Sequence, residues 1–304
     1  MSRARSDSEP LGASRHRPVM LREVLRYLNL QPGLRVVDGT VGAGGHSQHI
    51  AQEIQPDGVL VGLDRDPMML QLASQVISGA SVYLRRTSYA AVSHILNELE
   101  FDSVDRIFVD LGLSSDQLAD TSRGFGFDAG GPLDLRFDTS EGEPAWQHLA
   151  RLDEAPLADI LWQYGEERFS RQIARVISRR RGTRSVRTAE DLVEACVEAI
   201  PVAAQRSARK HPATRVFQAL RIYVNQELQH LEEGLGGVFY EALAPGGQLV
   251  VLSFHSLEDR MVKRAFRNRE QWETETSKPI TATSAEQKIN PRSRTAKMRV
   301  ATRI

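Results

Sequence analysis

Short apolar runs alternate with longer amphipathic stretches in the first third of the chain. Runs rich in β-branched residues or leucine occupy residues 34–38, 59–64, 81–85 and 106–110. This alternation predicts βαβ units and a parallel sheet with helices on both faces, an α/β fold. Three runs end in aspartate, at Asp38, Asp64 and Asp110. Because ligands of open α/β sheets bind beyond the carboxyl ends of the strands, we expect these carboxylates to converge on one crevice.

After residue 131 the spacing of apolar residues becomes helical for roughly 100 residues. One predicted helix has an apolar face of Phe169, Ile173, Val176 and Ile177 and a basic face of Arg168, Arg171, Arg175 and Arg179. A second helix is expected to begin at Thr188, whose spacing to Asp191 fits an N-cap, and to end before Pro201. A third helix is predicted over residues 217–231. Strands return at residues 248–254 and 298–304, and a polar stretch at residues 274–291 is expected to be flexible.

This order of patterns predicts an α/β domain that is interrupted by a helical insertion. The α/β domain comprises residues 15–130 and 235–304, and the insertion comprises residues 131–234. Residues 1–14, which are rich in Ser and Arg, are expected to form a disordered arm.

Composition narrows the class of protein. The chain has 304 residues, of which 41% are hydrophobic and 26% are charged, as expected for a globular protein with a substantial core. No apolar stretch reaches the roughly 18 residues of a membrane span, and residues 1–19 lack the apolar segment of a secretory signal. We therefore expect a cytoplasmic protein with no membrane partner. The single cysteine, Cys196, excludes an internal disulfide, and without CxxC or HExxH patterns no metal is expected.

The formal charge is zero but is unevenly distributed. Residues 168–215 contain 12 Lys and Arg against 4 Asp and Glu, and residues 260–304 contain the same numbers. The rest of the chain therefore has 15 basic and 31 acidic residues. Two basic segments beside an acidic body favour binding of a polyanion such as a nucleic acid, although solvated helix faces would give the same count.

A glycine-rich turn, DGTVGAGGHS at residues 38–47, follows the first predicted strand. Gly42 and Gly44 begin a G-x-G-x-x-G dinucleotide motif, but position 47 is serine, and the Lys-Ser/Thr ending of a phosphate-binding loop is missing. A ligand with an amino-acid end and a ribose fits better, and S-adenosylmethionine has both. We expect the Asp64 carboxylate to accept hydrogen bonds from the ribose hydroxyls, and the ring of Tyr89 to pack on adenine.

The fourth predicted strand ends in DLGLSSDQL, residues 110–118, which contains catalytic candidates. If S-adenosylmethionine donates its methyl group to an exocyclic base amine, Asp110 or a neighbouring backbone carbonyl accepts a hydrogen bond from that amine. This hydrogen bond localises the lone pair of the amine nitrogen. Ser115, and His255 in SFHSLEDR at residues 253–260, are further catalytic candidates. A serine hydrolase is disfavoured because the chain has no G-x-S-x-G motif.

Aromatic and basic residues are candidates for RNA binding. Phe125 and Phe127, in RGFGF at residues 123–127, are suited to stack on an extruded base, although loop residues packed under the insertion would give the same sequence. Four arginines on the basic segments are expected to contact RNA phosphates, namely Arg171, Arg175, Arg292 and Arg294.

Eight sequence blocks together resemble the bacterial ribosomal RNA small-subunit methyltransferase H family. They are HRPVM (16–20), DGTVGAGGHS (38–47), DLGLSSDQL (110–118), RGFGF with GPLDLRF (131–137), YGEERF (164–169), HPATRVFQALRIYVNQEL (211–228), SFHSLEDR (253–260) and NPRSRTAKMR (290–299). The blocks follow the family's order and extend over nearly the whole chain.

The resemblance implies a Rossmann-like class I S-adenosylmethionine-dependent methyltransferase domain with a helical insertion domain for RNA recognition. It also implies methylation of N4 of a cytosine in the decoding region of 16S rRNA, so that the partner is 16S rRNA or the small ribosomal subunit. The implied cofactor contacts are Gly44, Gly45, His46, Asp64, Tyr89, Asp110 and Gln117, to which the glycine turn adds Asp38 and Gly42. The oligomeric state is open, with a homodimer as one option.

Two other functions are weighed against this one. A DNA amino-methyltransferase would share the fold and the amine chemistry, but such enzymes have Asp/Asn-Pro-Pro-Tyr/Phe after the fourth strand, where this chain has DLGL at residues 110–113. A non-catalytic RNA-binding assembly factor would use the same basic segments, but it would gain nothing from the cofactor turn. An RNA methyltransferase is therefore the favoured interpretation.

Overall fold

The strands form one eight-stranded mixed sheet. The computed structural model describes residues 17–127, 130–207 and 211–304, so the predicted arm at residues 1–14 lies outside the described residues. The strands are β1 (Arg35–Asp38), β2 (Val59–Asp64), β3 (Ser81–Arg86), β4 (Val104–Asp110), β5 (Leu243–Ser253), β6 (Trp272–Thr274), β7 (Ile280–Thr281) and β8 (Lys297–Arg303). Their order in the sheet is β3-β2-β1-β4-β5-β8-β6, and β7 also pairs with β8.

The direction of the strands fixes where a ligand can bind. β1 to β5 are parallel, and β8 runs antiparallel to β5, β6 and β7. The first four predicted strands are confirmed to within two residues, and the parallel α/β class is confirmed. Because strand order reverses between β1 and β4, their carboxyl ends open a crevice that neighbouring connections leave uncovered.

Fifteen α-helices accompany the sheet in the described part of the chain. They are α1 (Leu21–Leu28), α2 (Gly45–Glu53), α3 (Pro67–Val76), α4 (Val92–Glu98), α5 (Ser115–Ala119), α6 (Ala145–Arg151), α7 (Glu154–Gly165), α8 (Ser170–Arg180), α9 (Ala189–Ala199), α10 (Val202–Ser207), α11 (Thr214–Asn225), α12 (Glu227–Glu233), α13 (Phe239–Ala242), α14 (Ser256–Ala265) and α15 (Ser284–Ile289). Short 3-10 turns lie at Tyr89–Ala91 and Pro291–Thr295. None of the helices in these ranges is long and apolar enough to cross a membrane.

Two of the three predicted insertion helices are confirmed, and the third is wrong in its length. α8 buries the predicted apolar face, and α9 begins at a capping box formed by Thr188 and Asp191. The helix predicted over residues 217–231 is instead two helices, because Gln226 adopts a left-handed conformation with φ of 52° and separates α11 from α12. The bidentate ion pair from Arg221 to Glu227, at 2.8 and 3.0 Å, spans this break.

The stretch at residues 274–291 is not the flexible segment that its polar composition suggested. It contains β7 and α15, and α15 begins at Thr283, whose hydroxyl accepts a hydrogen bond from Glu286 N. Glu286 also accepts a hydrogen bond from Met20 N at 2.6 Å, and Asn290 Nδ2 donates to Arg17 O at 3.2 Å. These contacts to the N-terminal segment order a sequence that has few apolar residues of its own.

Separate apolar cores underlie the sheet and the helical region. One core, on the face of the sheet that carries α4, includes Val109, Leu231 and Phe239, and the core on the opposite face includes Val36 and Phe108. A third core consists of residues from the helical region together with Phe125. The domain division at residues 131 and 234 stays a prediction, but Leu231 of α12 packs with the sheet.

Candidate active site

A cleft opens at the carboxyl ends of β1, β2 and β4. It encloses about 940 Å³ of space between the protein atoms, part of which is open to solvent. Its walls come from the glycine turn after β1, the end of β2, the turn at Tyr89, the segment after β4 and helix α12. Seven predicted cofactor contacts line it, namely Gly42, Gly45, His46, Asp64, Tyr89, Asp110 and Gln117.

Asp64 connects the glycine turn to β2. Its Oδ2 accepts a hydrogen bond from Gly42 N at 2.7 Å, and its Oδ1 accepts one from Asp66 N at 2.9 Å. Gly42 has φ of 52°, a backbone conformation that glycine adopts without strain. A Cβ at this position would meet no protein atom within 4 Å and would lie in open space. Burial raises the pKa of Asp64 to about 7, with smaller contributions from the charges of Asp66 and Asp38, although the two backbone hydrogen bonds oppose the rise.

Asp38 and Gly44 are not among the residues that line the cleft, and their assignment as cofactor contacts stays a prediction. Asp38 lies behind the turn, where its two oxygens accept hydrogen bonds from Thr40 N at 3.1 Å and Ser47 Oγ at 2.5 Å. Burial raises its pKa to about 6. Gly44 packs against α3, where a Cβ would approach Val76 Cγ2 to 2.7 Å. Both residues therefore hold the shape of the turn.

Asp110 ends β4 with its side chain in the cleft. Its backbone N donates a hydrogen bond to Thr40 Oγ1 at 2.6 Å, and its Oδ2 lies 3.6 Å from His46 Nδ1. Its Oδ1 is buried and has no hydrogen-bond partner among the described residues. Burial raises the pKa of Asp110 to about 7, the positive charge of Arg292 opposes the rise, and the charges of Asp38 and Glu258 add to it.

Gln117 is held on α5 by a capping box and a buried ion pair. Gln117 N donates to Ser114 Oγ, and Ser114 N donates to Gln117 Oε1. Gln117 Nε2 also donates to Asp66 Oδ2 at 2.9 Å, an oxygen that accepts a second bond from Arg123 Nη1 at 2.6 Å. The segment after β4 is thereby fixed to the end of β2.

The two remaining catalytic candidates lie outside the lining of the cleft. His255 occupies the N-cap of α14, and its Nε2 lies 3.0 Å from Glu258 Oε1. Ser115 Oγ accepts a hydrogen bond from Arg292 Nη1 at 3.1 Å. Their assignment as catalytic residues stays a prediction, and Glu258 is the member of the SFHSLEDR block that reaches the cleft.

Several lining residues were not predicted from the sequence. They are Arg65, Ser88, Phe137, Glu227, His230 and Glu258. Burial alone would raise the pKa of Glu258, but His255, the hydrogen bond from Phe254 N and the charge of Arg221 lower it overall. For Glu258, the one indication in the sequence was its i, i+3 spacing from His255, which fits a capping box at the start of a helix.

The predicted RNA contacts occupy different environments. The ring of Phe125 is 5% exposed and stacks on Phe137, which fits the alternative of a loop residue packed under the insertion, and its contact with a base stays a prediction. Phe127 is partly buried and stacks on His211, with ring centroids 4.6 Å apart. Of the four arginines, Arg175 pairs with Glu154 at 3.3 Å and Arg292 is half-buried beside the cleft, while Arg171 and Arg294 are exposed.

The lining fits S-adenosylmethionine in its chemistry. Two buried polar atoms, Asp110 Oδ1 and His230 Nδ1, have no hydrogen-bond partner in the described ranges and are available to a ligand. The carboxylates of Asp64, Asp110 and Glu258 give the cleft an acidic wall, which suits a cation with ribose hydroxyls and an ammonium group. The ring of Tyr89, at 8% exposure, forms part of the wall and offers a flat surface for a base.

Comparison with known proteins identifies the family. Residues 13–304 match the model of the MraW methylase family. The chain is 42% identical to the ribosomal RNA small subunit methyltransferase H of Geotalea uraniireducens, over 95% of this chain and 98% of that protein. It is 44% identical to the protein of the same name from Thermotoga neapolitana, over 94% of this chain and 95% of that protein. A solved structure of an rRNA methylase from Streptococcus thermophilus is 10% identical, with a TM-score of 0.40 over 96% of this chain and 99% of that chain. The match over nearly the full length places this chain in the MraW methylase family.

Proposed function

We propose that this protein methylates N4 of a cytosine in the decoding region of 16S rRNA, with S-adenosylmethionine as the methyl donor. The observation that carries the proposal is the buried Oδ1 of Asp110, which has no hydrogen-bond partner among the described residues and faces a cleft beside the glycine turn. The chain is related over nearly its whole length to rRNA small subunit methyltransferases H. An exocyclic amine is a hydrogen-bond donor, and this oxygen is a hydrogen-bond acceptor.

Different residues of the cleft bind the cofactor and orient the substrate amine. When bound, S-adenosylmethionine supplies an electrophilic methyl group on a sulfonium. Gly42, Gly45 and His46 form the turn that approaches its amino-acid end, and Asp64 accepts hydrogen bonds from its ribose. Asp110 accepts a hydrogen bond from the cytosine amine, which localises the nitrogen lone pair and orients it. The ring of Tyr89 packs on adenine.

The helical insertion at residues 131–234 is proposed to recognise RNA, while residues 15–130 and 235–304 form the methyltransferase domain. The proposed RNA contacts with most support are the exposed Arg171 of the insertion, the partly buried Phe127 just before it, and Arg294 near the C-terminus. Substrate on the small ribosomal subunit implies a cytoplasmic protein, and a homodimer remains one option for its assembly.

The test is a map of modified nucleotides in 16S rRNA by mass spectrometry. Cells that lack the gene are expected to lose N4-methylation at one cytosine, and the wild-type gene is expected to restore it. A gene that carries Asp110→Asn should not restore it, although the variant protein accumulates. If the modification pattern is the same with and without the gene, the proposed function is wrong and a non-catalytic role in assembly takes its place.

A further inference from the structure

One wall of the cleft comes from helix α12. Glu227, His230 and Leu231 of this helix all line the cleft. Residues three and four positions apart lie on the same face of a helix, so α12 presents one face to the cleft. His230 is therefore part of the wall of the ligand site.

Two contacts hold α12 in this orientation. Leu231 is 1% exposed and packs in the core that contains Tyr89. Glu227 accepts two hydrogen bonds from the guanidinium of Arg221, at 2.8 and 3.0 Å. Because Leu231 and Glu227 are both fixed, the position of His230 along the wall is fixed as well.

The neighbours of His230 mark the end of the cleft at which it lies. α12 packs against the Tyr89–Ala91 turn, and Tyr89 and Arg65 line the cleft with His230. Arg65 directly follows Asp64, the residue proposed to bind the ribose. His230 therefore lies at the end of the cleft to which the ribose and the adenine of the cofactor are assigned.

The imidazole of His230 is uncharged at neutral pH. Burial lowers its pKa below the usual value, the positive charge of Arg65 lowers it further, and the charge of Glu233 opposes the shift. A neutral imidazole has one N–H group and one nitrogen with a free lone pair. When the proton is on Nε2, Nδ1 is a hydrogen-bond acceptor.

Nδ1 of His230 is buried and has no hydrogen-bond partner in residues 17–127, 130–207 and 211–304. The carboxylate of Glu233 lies 3.8 Å from it, which is beyond hydrogen-bond distance. A buried acceptor without a donor costs folding free energy, so a ligand that brings a donor to this point is favoured.

We propose that His230 binds the adenine of S-adenosylmethionine, with Nδ1 as the acceptor for the 6-amino group. The 6-amino group is a donor of the adenine base, whereas N7 is an acceptor. A base with a 6-oxo group would place an acceptor against an acceptor, so His230 makes the cleft selective for adenine. The inference holds for any methyl acceptor and is therefore independent of the proposed methylation of cytosine.

Three variants separate this contact from a structural role. His230→Ala removes the acceptor. His230→Asn keeps an acceptor oxygen near the position of Nδ1. His94→Ala, at an exposed site on α4 outside the lining of the cleft, is the control.

The first test measures binding by calorimetry, without RNA, for S-adenosylhomocysteine and for S-inosylhomocysteine, in which a 6-oxo group replaces the 6-amino group. His230→Ala is expected to weaken binding of S-adenosylhomocysteine about tenfold, the effect of one buried hydrogen bond, and to change binding of S-inosylhomocysteine less than about twofold. His230→Asn should recover part of the loss, and His94→Ala should match the wild type.

Equal losses for both ligands in His230→Ala would mean that His230 only shapes the wall, and no loss for either would mean that it does not contact the base. Both results overturn the proposal. A wild type that binds neither ligand would refute the cofactor site itself. Methylation of a base other than cytosine would refute the proposed function and leave these affinities unchanged.

The second test uses nuclear magnetic resonance of protein labelled with ¹⁵N-histidine at about pH 8, where an imidazole of lowered pKa is neutral. His230 is expected to carry its proton on Nε2. S-adenosylhomocysteine should shift the Nδ1 resonance upfield, because the lone pair then accepts a hydrogen bond, and S-inosylhomocysteine should not. A proton on Nδ1, or the same shift with both ligands, overturns the proposal.

Discussion

Charged side chains in the cleft differ from those on the helical region in their burial and in their ion pairing. In the cleft, Asp64 and Asp110 are partly buried, neither pairs with a Lys or Arg of the described residues, and burial raises the pKa of each to about 7. On α8 three of the four arginines are exposed, and most are paired, as Arg175 is with Glu154 and Arg179 with Glu198. A buried carboxylate without a cationic partner costs folding free energy and therefore indicates a ligand, whereas a run of surface charges can be satisfied within the chain.

This difference changes the interpretation of the basic segments. The excess of arginine at residues 168–215 suggested an RNA-binding face, but Arg180 and Arg184 both pair with acidic residues of α9. The guanidinium of Arg181 donates to the backbone carbonyls of Leu149 and Leu152. Much of the apparent positive charge thus joins one helix to the next, and fewer arginines are left for phosphates than the sequence count implied.

Loss of the Asp110 carboxylate should have the largest effect. Asp110→Asn is expected to lower kcat on 16S rRNA about 100-fold or more, because a positioned group that orients and deprotonates the nucleophile typically contributes about that much. RNA affinity should change less than twofold. Single-turnover kinetics and filter binding measure the two quantities. Equal losses in both would make Asp110 a structural residue.

Asp64 should affect cofactor affinity and not turnover at saturation. Asp64→Asn keeps the size of the side chain and one acceptor oxygen for the bond from Gly42 N, but it removes the charge. Loss of a charge-assisted hydrogen bond typically weakens binding by about 10- to 100-fold. Calorimetric titration with S-adenosylmethionine checks this, and an unchanged Kd would remove Asp64 from the cofactor site.

The raised pKa of Asp64 also predicts how stability depends on pH. Because the folded state binds the proton more tightly than the unfolded state, this group stabilises the fold below about pH 4, and the contribution is lost as the pH rises through about 7. The cofactor-free wild type should therefore lose stability relative to Asp64→Asn between pH 5.5 and 8, by roughly 2 °C or more in Tm. Thermal unfolding of both proteins measures the difference, and parallel curves would contradict the burial argument.

The sequence predicted the cleft better than it predicted the surroundings of the cleft. Strand ends at Asp64 and Asp110 follow from local apolar runs, and the glycine turn follows from residue type, so both were accessible without tertiary structure. The positions of Glu227 and His230 could not be predicted, because they reach the cleft only after the helix is interrupted at Gln226. Gln226 is a non-glycine residue with positive φ, and no turn motif in the sequence indicates it. Burial of Phe125 likewise depends on packing with residues distant in sequence.

The smallest expected effect is the difference in RNA binding between variants of two arginines on α8. Arg171 has no ion pair within residues 17–127, 130–207 and 211–304, whereas Arg175 pairs with Glu154 at 3.3 Å. Arg171→Gln is therefore expected to weaken RNA binding about threefold and to reduce the salt slope by about one, as for loss of one phosphate contact. Arg175→Gln should change both less, since Glu154 already offsets its charge. Binding of 16S rRNA fragments at several salt concentrations measures both. If the two variants behave alike, the ion pairs on α8 open when RNA binds, and the contrast between the cleft and the helical region holds only for the free protein.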